Sequence, residues 1–173
     1  MSALNVIGMD PGVHGAIAVL SAEGNLLSVV DMPIFEIKKM VRGKETTRRK
    51  VNVHGVGSIL REAGQSRAVI EDVNAMPNDG AMQAFIFGFS AGALHGAVGA
   101  LNLQLATVRP QPWKKHFGLS ADKNAARQVA TRRWPEFADQ FKRVKDAGRA
   151  EAALIGLHSI ETSNAATAAD TEF

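Results

Sequence analysis

The sequence predicts a mixed α/β fold, a five-stranded sheet that begins as an antiparallel meander, continues with parallel strands and is flanked by helices. Three observations carry this expectation. Residues 5–32 hold three short apolar runs separated by turn formers. From residue 51 onward, β-branched runs alternate with segments whose apolar residues recur at helical spacing. The chain has 173 residues, 46% of them hydrophobic, which suits one ordinary domain with a sizeable core.

Asn5–Asp10 reads as the first strand, Pro11-Gly12 as a turn and Gly15–Leu20 as the second strand. Gly24 turns the chain into a third strand, Leu26–Met32. Short connections of this kind join antiparallel neighbours. Pro33 to about Lys50 is highly charged with little periodicity and is expected to be a flexible excursion. Val53, Val56, Ile59 and Leu60 mark a helix over Val51–Ala63, stopped by Gly64. Arg67–Val73 is a buried strand ending in acids, and Asn74–Gly80 a loop dense in turn formers. A helix from Ala81 to about Asn102 and a strand over Leu103–Val108 follow. Pro110 and Pro112 are expected to break the chain. Ser120 is the expected N-cap of a helix over Ala121–Trp134, and Arg149–Ile160 the last helix. Residues 1–160 thus form the domain, and Glu161–Phe173 an acidic, disordered tail.

No apolar run approaches the ~20 residues of a membrane span, and Asp10 interrupts any signal-like segment. A soluble, cytoplasmic protein is expected, with no membrane partner. The absence of cysteine excludes disulfides, thiolate metal sites and thiol nucleophiles, so any metal must be held by oxygen or imidazole. His14, His95, His116 and His158 show no paired zinc-ligand spacing. Net charge is only +3, but its placement is uneven. Lys38, Lys39, Arg42, Lys44, Arg48, Arg49 and Lys50 face one acid, Glu45, within their stretch. Lys114, Lys115, Lys123, Arg127, Arg132 and Arg133 form a second group. Two basic clusters point to a polyanion partner, although either alone reads equally as solvated surface.

Three acids interrupt apolar elements. Asp10 ends the first strand, Glu71 and Asp72 end the fourth, and Glu151 lies among the alanines and leucines of the last helix. A carboxylate in such surroundings must be paired, capping, or bound to a cation, because isolated burial is too costly. Convergence on Mg²⁺ is one reading. A turn at Asp10, an arginine partner for Glu71 and a solvated Glu151 are the alternatives.

Four segments, IGMDPGVHGAIAVL, VIEDV, VRPQPWKKHFGL and GRAEAALIG, together resemble the RuvC-type Holliday junction resolvases, especially their phage-encoded branch. The resemblance runs from Val6 to about Ile160. It implies the RNase H-like fold, a homodimer, and a crossover junction endodeoxyribonuclease that makes paired nicks in branched DNA. It further implies a bacterial or phage-infected cytoplasm and about two Mg²⁺ or Mn²⁺ ions held by Asp10, Glu71 and Glu151, with no small-molecule cofactor. Relatives normally add an acid one turn before the last one, often within DGRAEA. Here the segment is KDAGRAEA. Four residues rotate a helix by about 40° and five by about 140°. Ala147 would therefore share the face of Glu151 while Asp146 points away. Either Asp146 serves as a fourth ligand through an irregular helix start, or Ala147 is an inactivating substitution where an aspartate would stand.

Lys123 is the best match for the basic residue that relatives place near the scissile phosphate, at a helix start suited to anions. Lys114, Lys115 and the 38–50 cluster are candidates for phosphate contact. Met76, in the loop after Glu71, is the candidate wedge at a junction crossover. Trp113 reads as core. Phe85, Phe87 and Phe89 alternate, so only part of that set can share one helix face. Gly88, Gly92 and Gly96 recur every four residues, a ridge that invites close backbone approach, either to the protein's own sheet or across a dimer. Competing functions are an RNase H-like nuclease on forks or RNA–DNA hybrids, an actin-type ATP-binding protein, and an inactivated branched-DNA-binding form.

Overall fold

The computed structural model describes residues 4–73, 80–120, 122 and 124–169. Short apolar runs, separated by turns, form β1 (Asn5–Asp10), β2 (Ala16–Leu20) and β3 (Leu26–Asp31). The next elements are β4 (Ile34–Val41), β5 (Lys44–Val51), α1 (Val53–Glu62), β6 (Ser66–Glu71), α2 (Ala81–Ala100) and β7 (Gln104–Val108). Helices α3 (Pro110–His116), α4 (Ala125–Arg133) and α5 (Ala147–Ala169) complete the fold, with 3₁₀ turns at Pro135–Phe141 and Val144–Asp146.

The sheet order is β3-β2-β1-β6-β7. β1 pairs antiparallel with β2, and β2 with β3, while β6 runs parallel to β1 and β7 parallel to β6. The expected meander followed by parallel strands is therefore present. Side chains alternate between two cores, as strand geometry requires. Val6, Ala18, Leu20 and Val69 face α4 and α5, whereas Ile7, Ile17, Val19, Ala68 and Ile70 face α1 and α2. Helix α5 lies very close to β1. A Cβ on Gly8 would sit 2.1 Å from the Ala152 carbonyl oxygen, and one on Gly156 would sit 3.3 Å from the Gly8 nitrogen. Glycine is required at this crossing by space, not by backbone angle.

Four expectations are corrected. The excursion after Pro33 is an antiparallel hairpin, β4–β5, turned by Arg42 and Gly43, both at positive φ. Pro110 does not break the chain but starts α3, since its missing N–H belongs to a first-turn position that has no helical acceptor. Ser120 accepts from the Asp122 N–H inside a turn, and the following helix starts at Ala125. The last helix, expected over Arg149–Ile160, spans Ala147–Ala169, so residues 161–169 of the expected tail are helical.

Helix α2 is long and apolar enough to cross a membrane by length and composition, with a mean hydropathy of 1.3. No such stretch was expected from the sequence. One side of it packs on the second core through Leu94, Ala97 and Val98. The other side leaves Met82, Phe85 and Phe89 exposed.

Candidate active site

Parallel pairing places Gly8 level with Val69 and Met9 level with Ile70. The next residue in each strand, Asp10 and Glu71, therefore stands at adjacent strand ends. Both have the parity of Val6 and Val69, which face α5. Glu151 lies near the start of that helix. Three distant stretches of chain so deliver their carboxylates to one end of the sheet.

The start of α5 is fixed tightly. A Cβ on Gly148 would lie 3.1 Å from Asp10 Oδ2 and 2.6 Å from the His14 carbonyl oxygen. Arg149 donates to both oxygens of Asp31, at 2.6 and 2.8 Å, and to Gln140 at 2.7 Å. Asp146 is buried and turned to Arg143, whose backbone N–H and guanidinium each reach it at 2.8 Å. Burial opposes its charge, but the Arg143 contacts outweigh this and hold its carboxyl below the ordinary range. Asp146 is thus not brought to Asp10, Glu71 and Glu151, and the expectation of a fourth ligand there is corrected. Its rotation of about 140° from Glu151 and its capping of the preceding turn account for the diversion. Ala147, by contrast, lines a 350 Å³ cavity together with Glu151, Lys114, Ser120 and Asp122.

The carboxylates feel one another. Burial pushes Asp10 well above the usual carboxylate range, with Glu151 and then Glu71 adding to the rise. Burial raises Glu71 also, against a hydrogen bond from Trp113. Burial raises Glu151, and Lys114 opposes the rise at all three acids. Trp113 Nε1 donates to Glu71 Oε1 at 2.9 Å from a fully buried ring. The core reading of Trp113 holds, but its carboxylate anchor had no signal in the sequence. Lys114 sits 5.1 Å from the centre of that ring. It is half-buried beside the three acids, while Lys115 is exposed.

Among the described residues no three acidic or imidazole side chains close into a ready-made metal-binding group. The donor set nonetheless suits a hard cation. It is all carboxylate oxygen, and among the described residues no hydrogen bond engages the side-chain carboxylate of Asp10 or Glu151. One lysine faces three acids, which leaves their repulsion uncompensated. Lys123 and Met76 lie outside the described residues. Lys38, Lys39, Arg42, Lys44, Arg48, Arg49 and Lys50 are all exposed on the hairpin. Gly88, Gly92 and Gly96 are exposed too, and a Cβ on any of them would meet nothing within 4 Å. The glycine ridge does not serve the protein's own sheet. The small residues that do so are Gly148, Ala152 and Gly156.

No protein-family model and no curated protein sequence matches the chain. Solved structures do. Thermus thermophilus RuvC in complex with Holliday junction substrate is 12% identical, with a TM-score of 0.55 over 93% of this chain and 96% of that one. A second Thermus thermophilus RuvC structure is 14% identical, with a TM-score of 0.53 over 94% and 97%. The fold is RuvC-like.

Proposed function

We propose that this protein is a metal-dependent endonuclease that cuts branched DNA, four-way junctions foremost, as a homodimer. The observation that carries the proposal is the meeting of Asp10, Glu71 and Glu151 at one end of the sheet, with raised carboxyl pKa values and spare oxygens. The fold shared with a protein solved on a Holliday junction supports the substrate class.

Asp10, Glu71 and Glu151 would hold Mg²⁺ or Mn²⁺, which when bound supplies Lewis-acid chemistry for phosphodiester hydrolysis. Trp113 holds Glu71 in its rotamer through the 2.9 Å hydrogen bond. Gly148 lets the start of α5 reach Asp10, and the Arg149–Asp31 pair fixes that start in position. Lys114 offers the pocket its positive charge, toward which a phosphate oxygen can be drawn. No protein nucleophile is needed. A twofold axis through the exposed glycine ridge of α2 would set two such pockets on the two strands of a symmetric junction.

The test is cleavage of a synthetic four-way junction, a Y-fork and an RNA–DNA hybrid, each with Mg²⁺ and with EDTA. Paired Mg²⁺-dependent nicks in the junction support the proposal. Preferred cutting of the hybrid redirects it to an RNase H-like activity. Ala147 favours one second reading, a form that binds junctions without cutting them, because the position one helical turn before Glu151, which faces the same cavity, carries no carboxylate. Ala147→Asp is expected to raise the Mg²⁺-dependent cutting rate at least tenfold. Full activity of the unaltered chain removes that reading.

A further inference from the structure

The β4–β5 hairpin stands outside the five-stranded sheet, and its two faces differ. The register pairs Phe35 with Lys50, Ile37 with Arg48, Lys39 with Thr46 and Val41 with Lys44 on one face. On the other it pairs Glu36 with Arg49, Lys38 with Thr47 and Met40 with Glu45. Both acids of the hairpin therefore fall on the second face. There Glu36 meets Arg49 at 3.0 Å, and Glu45 meets Lys38 at 3.2 Å. Exposed pairs of this kind add little stability, but they cancel charge. Lys39, Lys44, Arg48 and Lys50 share the first face and pair with no acid among the described residues.

We propose that this acid-free face grips the sugar-phosphate backbone of one duplex arm of a branched DNA, while the paired face does not contact DNA. The inference deepens the reading of the protein as a branched-DNA nuclease and rests on it for the choice of DNA. Three observations support it. All four cations are exposed, with Phe35 and Ile37 opposite Lys50 and Arg48 in place of acids, and Lys50 lies 5.3 Å from the centre of the Phe89 ring. Arg48 and Lys50 follow one another at the two-residue repeat of a strand, about 6.7 Å, which matches the rise of two nucleotides along a duplex axis at about 3.4 Å each. The hairpin also connects to the candidate active site. Arg48 of the acid-free face walls a 430 Å³ groove with Met82 and with Val13 and His14, in the turn that leaves Asp10; Thr47 and Arg49, at the edge of the paired face, border the same groove. From Arg48 to the tip at Lys44 the strand runs on by four residues, about 14 Å. Such contacts set the orientation of an arm and read no sequence.

The experiment is equilibrium binding of a fluorescent four-way junction in EDTA over a salt series, with two fourfold variants. The first neutralises the free face: Lys39→Gln, Lys44→Gln, Arg48→Gln and Lys50→Gln. The second neutralises the paired face with no change in net charge: Glu36→Gln, Lys38→Gln, Glu45→Gln and Arg49→Gln. The first is expected to lower the slope of log affinity against log salt by about 3 to 4, and the second to change it by less than about 1. Equal slopes for both variants, or an unchanged slope for the first, overturn the inference. So does a first variant that loses affinity for single-stranded DNA but keeps its affinity for the duplex arms. Cleavage by the unaltered chain is scored separately. Hairpin-dependent binding without any Mg²⁺-dependent cutting sinks the nuclease reading and leaves the hairpin's role standing. Cutting with an unaltered salt slope does the reverse.

Discussion

Gly148 rests on Asp10 so closely that a single added methyl group would lie 3.1 Å from the carboxylate oxygen Oδ2 and 2.6 Å from the backbone oxygen of His14. The relationship ties the start of α5 to the end of β1, and with it Glu151 to Asp10. Gly148→Ala tests the tie. Alanine favours a helix over glycine by about 1 kcal/mol, whereas overpacking a tight contact costs about 1–3 kcal/mol. Net destabilisation of up to about 2 kcal/mol is expected, with a fall in Mg²⁺-dependent cutting larger than the stability loss explains. Thermal melting and single-turnover cleavage measure both, and a variant as stable and active as the parent removes the argument.

Asp10→Asn separates stability from function. The carboxyl of Asp10 is raised by its burial and by Glu151 and Glu71, so in metal-free protein the unfolded chain ionises before the folded one does. Stability from this group is therefore fully present below the ordinary carboxylate range, about pH 4, and is lost as pH rises through the raised value. The metal-free Asn variant is expected to be more stable than the parent at pH 8, by about 1 kcal/mol or more. The gap should narrow toward pH 4 and in the presence of Mg²⁺, while cutting is abolished. Melting curves at pH 4, 6 and 8 that run parallel for the two proteins contradict the electrostatic account.

Most of the sheet was legible in the sequence, and the reasons are specific. Val6, Ile7 and Met9, or Ala68, Val69 and Ile70, are apolar on both faces because helices cover both faces of the sheet. The hairpin was not legible. Lys39, Lys44, Arg48 and Lys50 alternate with residues that are themselves exposed, so no polar–apolar contrast marks a strand. Only Thr46, Thr47 and the Arg42-Gly43 turn hint at one. The four-residue spacing of Gly88, Gly92 and Gly96 on α2 invites close approach either to the sheet or to a second copy, and at the sheet these glycines are not the ones used. The residues that meet the sheet are Gly148, Ala152 and Gly156, and spacing alone cannot say which of two helices lies closer to a strand. The diversion of Asp146 followed from helix geometry. Its partner Arg143 did not, because nothing in sequence order distinguishes a capping arginine from a solvated one.

Trp113→Phe keeps the buried ring but removes the donor to Glu71. A lost hydrogen bond to a charged group costs about 1.5–3 kcal/mol. Glu71 is already raised by burial, and the Trp113 bond opposes that rise. Without it the carboxyl climbs further, so the acidic limb of the pH–rate profile should move to higher pH while the alkaline limb stays in place. A profile that drops uniformly, with no displacement of the acidic limb, indicates a packing role only.

Asp146→Asn distinguishes a scaffold residue from a metal ligand. It keeps the shape but loses the ion pair with Arg143 and weakens the cap on the turn before α5. Destabilisation of about 1–3 kcal/mol is expected, with the Mg²⁺ concentration for half-maximal cutting unchanged. A tenfold rise in that concentration at unaltered stability would return Asp146 to the ligand set.

Gly92→Leu probes the exposed face of α2. Within one chain nothing lies within 4 Å of the added Cβ, so the substitution meets no internal clash. Leucine also replaces glycine in a helix, which favours the helix by up to about 1 kcal/mol. The isolated chain should therefore melt no lower than the parent. If a second copy packs its own glycine ridge here, the leucine holds the two backbones apart, as small-residue interfaces do not tolerate bulk. Sedimentation equilibrium is expected to show a dimer for the parent and at least a hundredfold weaker association for the variant, together with loss of the second of two paired nicks. A variant that remains dimeric places the twofold contact elsewhere on the molecule. A parent that is monomeric at every concentration leaves Met82, Phe85 and Phe89 facing a different partner and removes the dimer from the proposal.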